Sequence, residues 1–107
     1  MSYFLDWREH AGSQSEKFFK SSLWQGEHMM LGLNCLEPGQ VQKAHAHADA
    51  DKLYYVLEGH ADFTIGDERR EMPTGMVVVA PAGIPHGVAN KGEHRLSLLV
   101  AIAPPSK

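Results

Sequence analysis

One cysteine, Cys35, stands in the whole chain, so no disulfide can close within it. Thiols are scarce, and the opening residues lack a basic start followed by an apolar run. The sequence therefore reads as that of a cytoplasmic protein. Long apolar runs are also missing. The most apolar stretch, Met76 to Ala82, has seven residues with a proline among them, whereas a membrane span needs about twenty. A soluble chain with no membrane partner is expected. Basic blocks are absent as well: 10 Lys plus Arg are set against 13 Asp plus Glu, with nothing that could follow a phosphate backbone, and nucleic acid is excluded as a partner. Finally, no segment keeps a 3.6-residue apolar period over three turns, which confines helix to the ends of the chain. Neither an internal repeat nor a low-complexity tract is found.

What the chain does have is turns. Gln25-Gly26, Pro38-Gly39, Gly59, Gly66-Asp67, Pro73-Thr74-Gly75, Pro81-Ala82-Gly83 and Asn90-Lys91-Gly92 recur at roughly ten-residue intervals, and the stretches between them are rich in Val, Ile, Leu, Tyr and Phe. This rhythm predicts strands over 17–24, 28–36, 41–47, 53–57, 61–65, 69–72, 76–80, 86–90 and 95–103. Glu37-Pro38-Gly39-Gln40 suits a type II turn, because Pro presets the first central φ and Gly accepts the positive second one. At 107 residues the chain makes one domain. The expected class is all-β, a barrel or sandwich in residues 17–107, preceded by an N-terminal arm or short helix in residues 1–16.

Seven histidines are the compositional oddity. Residues two apart on a strand share a face, so His45 and His47 project together, close enough to share one ion. An isolated His-x-His is more often a wet strand face, and the pattern needs a confirming context. That context comes later, in "GMVVVAPAGIPHGVAN", where a strand, a tight turn and a second strand deliver His86. A third imidazole from another strand is what a three-point site requires, since one strand cannot surround an ion.

These residues resemble the cupins. The first cupin motif runs Gly, five residues, His-x-His, three or four residues, Glu, six residues, Gly, and here Gly39, His45-Ala46-His47 and Gly59 match it. The second runs Gly, five residues, Pro-x-Gly, two residues, His, three residues, Asn. It is met at every fixed position by Gly75, Pro81-Ala82-Gly83, His86 and Asn90. The resemblance implies a conical, jelly-roll-like β-barrel of two antiparallel sheets (a double-stranded β-helix), a metal held inside by His45, His47 and His86, and a homodimer. The motif glutamate does not carry over. Counting back from Gly59 lands on Lys52, which has no lone pair for a cation when protonated. Asp51 is the nearest carboxylate, one residue out of step, and a bulge at the strand start would bring it in. Side-chain parity does not choose, because Tyr54 and Val56 on one face and Leu53, Tyr55 and Leu57 on the other are equally apolar. The site read here is His45, His47 and His86, with Asp51 kept as the alternative fourth ligand. Without Asp51, a rim salt bridge between Asp51 and Lys52 is expected, with the lysine reaching for solvent or offering its amine to a substrate carboxylate.

Three neutral imidazoles leave two or three positions open on a divalent transition metal; imidazole suits Fe, Ni, Zn and Cu, and the resemblance to the cupins implies Fe, Mn, Ni, Zn or Cu. The expected function is a small-molecule metalloenzyme with dioxygenase-like chemistry. The alternatives are a non-redox isomerase or lyase and a non-catalytic ligand-binding module. Fold alone does not choose among them. Tyr54 or Tyr55 can line the pocket, Met29, Met30 and Met76 read as core or pocket lining, and Cys35 reads as a small buried hydrophobe. Asn90 is expected to serve a turn through its amide. His10, His28, His60 and His94 read as surface or turn residues. The last strand, "RLSLLVAIA", or the N-terminal arm can supply a dimer interface.

Overall fold

A computed structural model describes residues 3–105. Ahead of the strands, a single 3-10 turn, Trp7–His10, is capped by Asp6, whose carboxylate accepts from the Arg8 amide. The His10 carbonyl then accepts from the Ser21 hydroxyl at 3.0 Å, which ties this segment to the first strand.

The nine strands are β1 Phe19–Gln25, β2 Met30–Leu36, β3 Val41–His45, β4 Asp51–Glu58, β5 Ala61–Ile65, β6 Glu68–Met72, β7 Val77–Ala80, β8 His86–Ala89 and β9 Leu96–Ala103. Each matches an expected strand. The boundaries differ by two residues at the start of β1, β2 and β4 and at the end of β3; β4 starts early because Asp51 and Lys52 pair with Ala103 and Ile102, and β3 stops at His45. All pairings are antiparallel, in a five-stranded sheet ordered β1-β2-β9-β4-β7 and a four-stranded sheet ordered β3-β8-β5-β6. The two sheets face each other around one core in which Leu36, Tyr54, Phe63, Val88, Leu96 and Leu98 are sealed from solvent.

Chain reversals follow the turn chemistry. Between β2 and β3 the Gln40 amide donates to the Glu37 carbonyl at 3.0 Å, and Gly39 takes φ +89°, which a side chain at that position would resist. Asn90 ends β8 as expected. Its amide nitrogen donates to the carbonyls of Leu36 (2.7 Å) and His94 (2.9 Å), and its amide oxygen accepts from the Gly92 amide (3.0 Å). One residue thereby joins the end of β2 to the loop before β9.

Parity along β4 is unambiguous in three dimensions. Lys52, Tyr54 and Val56 point inward and are buried, while Asp51, Leu53 and Tyr55 point outward. The bulge in β4 falls between Val56 and Glu58, at the far end of the strand, so nothing shifts the register at Asp51. Met29 and Met76, expected in the core or pocket, are exposed instead, because each sits in a turn: Met29 accepts from the Gly26 amide and Met76 donates to Pro73. Cys35 is fully buried, within 3.7 Å of the Ser97 hydroxyl.

Candidate metal centre

Strand pairing brings two of the three histidines together. His45 at the end of β3 is the cross-strand partner of His86 at the start of β8, after a register shift in β3 between Gln42 and His45. Gly87, next to His86, makes that approach possible. A Cβ there would lie 3.0 Å from the Ala44 nitrogen and 3.1 Å from the Gln42 carbonyl, backbone atoms that cannot swing aside. His47 lies beyond β3, and the Gly83 amide holds its carbonyl at 2.8 Å, tying it to the turn before β8. The ring centroids stand 4.4 Å (His45–His86), 5.0 Å (His45–His47) and 5.5 Å (His47–His86) apart. One nitrogen from each ring lies within 4.8 Å of the others.

The hydrogen bonds fix which nitrogens are free. Nδ1 of His45 lies 3.0 Å from the Lys43 carbonyl and Nδ1 of His86 lies 3.1 Å from the Ile84 carbonyl. A carbonyl only accepts, so each Nδ1 carries the proton and, in the neutral ring, Nε2 keeps its lone pair. Nε2 of His47 and of His86 are buried and find no hydrogen-bond partner. Burial holds the His86 and His47 imidazoles below the ordinary histidine range. For His86 the bond to the Ile84 carbonyl pulls the other way, and Lys52 adds to the lowering of both. Convergent imidazole nitrogens, two of them buried and unpartnered, are a donor set that a divalent transition metal takes, and these three histidines could hold one.

Asp51 is not brought to this cluster. It faces out of the barrel, where its carboxylate accepts from the Ala82 amide at 2.8 Å and steadies the β7–β8 turn. The rim salt bridge to Lys52 is absent among the described ion pairs, because the two side chains leave opposite faces of β4. Nor does Lys52 reach for solvent. It is 5% exposed, its ammonium sits 4.5 Å from the centre of the Tyr54 ring, and burial, with Lys20 nearby, lowers its pKa to about 8. Tyr54 is fully buried, its hydroxyl donates to the Gln42 side chain at 2.6 Å, and its ring centre is 6.2 Å from that of His86. Tyr55 faces out.

Beside the histidines lies a pocket of about 120 Å³, lined by Lys20, Asn34, Gln42, His45, His47 and Lys52 together with Met30, Val100 and Ile102. The inner faces of β1 and β2 thus supply residues that no motif marks. Their only signal is alternation along a hairpin that β9, distant in sequence, holds over the site.

The model of the cupin domain family matches residues 32–102. The chain belongs to that family. This cupin is similar to an uncharacterised protein of Streptomyces coelicolor, 36% identical over 77 residues that make up 72% of this chain and 71% of the other. It superposes on the crystal structure of TT1209 from Thermus thermophilus with a TM-score of 0.92 at 41% identity, covering 96% of this chain and 98% of that one. An RmlC-like cupin protein from Desulfovibrio desulfuricans gives a TM-score of 0.80 at 30% identity, with 90% and 91% covered. Among the described residues no helix is long and apolar enough to cross a membrane.

Proposed function

We propose that this cupin is a metal-dependent enzyme acting on a small, oxygen-rich molecule, with dioxygenase-like chemistry at the three-histidine centre. The observation that carries the reading is the convergence of three imidazole nitrogens, two of them buried without a partner, beside an open pocket. His45, His47 and His86 would hold Fe, Ni, Zn or Cu, which imidazole suits, or Mn, which the family resemblance adds. Once bound, the ion supplies Lewis-acid polarisation of a carbonyl or enolate and, if it is iron, a means of engaging O2. The chain's residues do the rest. The Lys43 and Ile84 carbonyls hold two of the rings in one tautomer and orientation. Met30, Val100 and Ile102 line one side of the pocket with apolar surface that excludes water.

A non-redox isomerisation or elimination is the second reading, favoured by the inward Lys52. With its pKa lowered to about 8, its ammonium gives up a proton near neutrality more readily than an exposed lysine. Metal analysis of protein purified without chelators tests the first step. Metal is expected in the parent and in Asp51→Ala and is lost in His47→Ala; a parent that carries none, or a His47→Ala that keeps it, overturns the centre. Oxygen uptake over β-diketones, catechols and thiol acids then separates oxidative from non-redox turnover. Ligand binding that is unchanged by metal removal would mark a binding module instead.

The proposal includes a cytoplasmic homodimer. Support for self-association lies on the outer face of the five-stranded sheet, where Leu53 and Tyr55 on β4 pair with Val79 and Val77 on β7, each at least 36% exposed. Light scattering should give twice the chain mass for the parent and a monomer for Val79→Lys.

A further inference from the structure

The polar side of the pocket beside the histidines carries lysines and amides and no acidic group. Lys52 at its inner end is 5% exposed, yet none of the described ion pairs includes it or Lys20, and no acidic side chain lines the space. A buried ammonium is costly unless an anion or hydrogen bonds compensate it, and the Tyr54 ring face is only a partial substitute. Asn34, 3% exposed, stands on β2 directly across from Lys20 on β1, so an amide and a second ammonium join the same inner face. Gln42 is 8% exposed and its amide oxygen is taken by the Tyr54 hydroxyl, which leaves its NH2 as the group available to a ligand.

We infer that Lys52 and Lys20, with the amides of Asn34 and Gln42, form a subsite for the carboxylate of a small organic acid beside the three-histidine centre. This deepens the proposed function by naming its substrate class. Size limits the acid: about 120 Å³ is on the order of four water volumes, room for an acid of about two to four carbons. Lysine ammoniums and side-chain amides accept either a carboxylate or a phosphate, so inorganic phosphate is the anion that the experiment must separate from the acid. A carboxylate held by Lys52 would keep the rest of the acid next to the three imidazoles, because the lysine and two of the histidines line one pocket.

The test is calorimetric titration of malonate into the zinc-loaded and the metal-free protein, with malonamide as the uncharged isostere and inorganic phosphate as the competing anion. Malonate is expected to bind saturably and malonamide not to bind. Lys52→Met should weaken malonate about 10- to 100-fold, the range for loss of a hydrogen bond to a charged group. Zinc stoichiometry and the thermal melt, measured on the same Lys52→Met sample, report whether the centre and the fold are intact. Lys20→Met, at the exposed mouth, repeats the measurement with a smaller loss in case Lys52→Met fails to fold. Equal malonate affinity in the parent and Lys52→Met, binding of malonamide as tight as malonate, or binding of phosphate but not malonate would each overturn the subsite. Failure of the metal centre reads differently: the parent would carry no zinc while malonate still depended on Lys52.

Discussion

Replacing Asn90 with alanine tests whether one side chain holds β2, β8 and the loop before β9 together. The substitution removes a donor from the buried Leu36 carbonyl (2.7 Å), a donor from the His94 carbonyl (2.9 Å) and an acceptor from the Gly92 amide (3.0 Å). The Leu36 contact is buried, so its orphaned carbonyl carries a full desolvation cost of about 1–3 kcal/mol. The other two are partly buried, where water can replace the lost partner, and each should cost about 0.5–1.5 kcal/mol. The total is about 2–6 kcal/mol, centred near 4. For a domain of this size the central value lowers Tm by roughly 15–30 °C. Urea unfolding followed by tryptophan fluorescence measures it. Asn90→Asp serves as the control for hydrogen bonding against packing: it keeps the shape and the acceptor but turns a carboxylate toward two carbonyls, and should be at least as unstable as the alanine variant. A loss under about 1 kcal/mol in Asn90→Ala, or an Asn90→Asp as stable as the parent, would refute the clamp.

Two further outcomes follow from charge. Asp62 is bound by Arg69 at 2.6 and 3.0 Å and by Lys91 at 2.9 Å, and these partners, Arg69 first, hold its pKa down at about 2. The folded value lies below the unfolded one, so the stabilisation is present above about pH 4 and is lost as pH falls toward 2. Urea midpoints at pH 5 and pH 3 should therefore fall further for the parent than for Asp62→Asn, and equal falls would count against it. Lys52→Glu replaces the inward ammonium with the carboxylate that the first cupin motif carries at this position. Chelator competition should show zinc held at least about ten-fold more tightly, one lost repulsion and one added ligand each favouring the ion. Unchanged zinc retention would mean that position 52 does not act on the centre.

Most of the frame was legible because it rests on local rules. Period-two alternation and Gly, Pro and Asn punctuation mark all nine strands, and the spacing of His45, His47 and His86 names the cluster before any strand is paired. Asn90 was legible for the same reason, as a turn residue at the end of a motif. Lys20, Asn34 and Gln42 were not, because their place in the pocket depends on the β1–β2 hairpin lying against β9 and on β3 lying against β8. No local pattern encodes those neighbours.

Lys52 is the position where local expectation and fold diverge, and the reason is register. Charge alone predicts that a lysine turns to water and a carboxylate takes the metal side. Yet β4 is fixed by its pairing with β9, residue against residue from Asp51↔Ala103 to Val56↔Leu98, and Tyr54 and Val56 are sealed in the core on the same face as Lys52. Slipping the strand one residue to turn Asp51 inward would exchange Tyr54 and Val56 for the equally apolar Leu53 and Tyr55, but it would break the buried bond from the Tyr54 hydroxyl to Gln42 and the pairing with β9. In the observed register, Lys52 keeps its stem in apolar contact and its ammonium against the Tyr54 ring, at the edge of a pocket where a ligand can complete its shell. The pairing with β9 and the buried Tyr54–Gln42 bond therefore decide the parity of the strand, and the parity carries a positive charge to the place where the family pattern has a negative one.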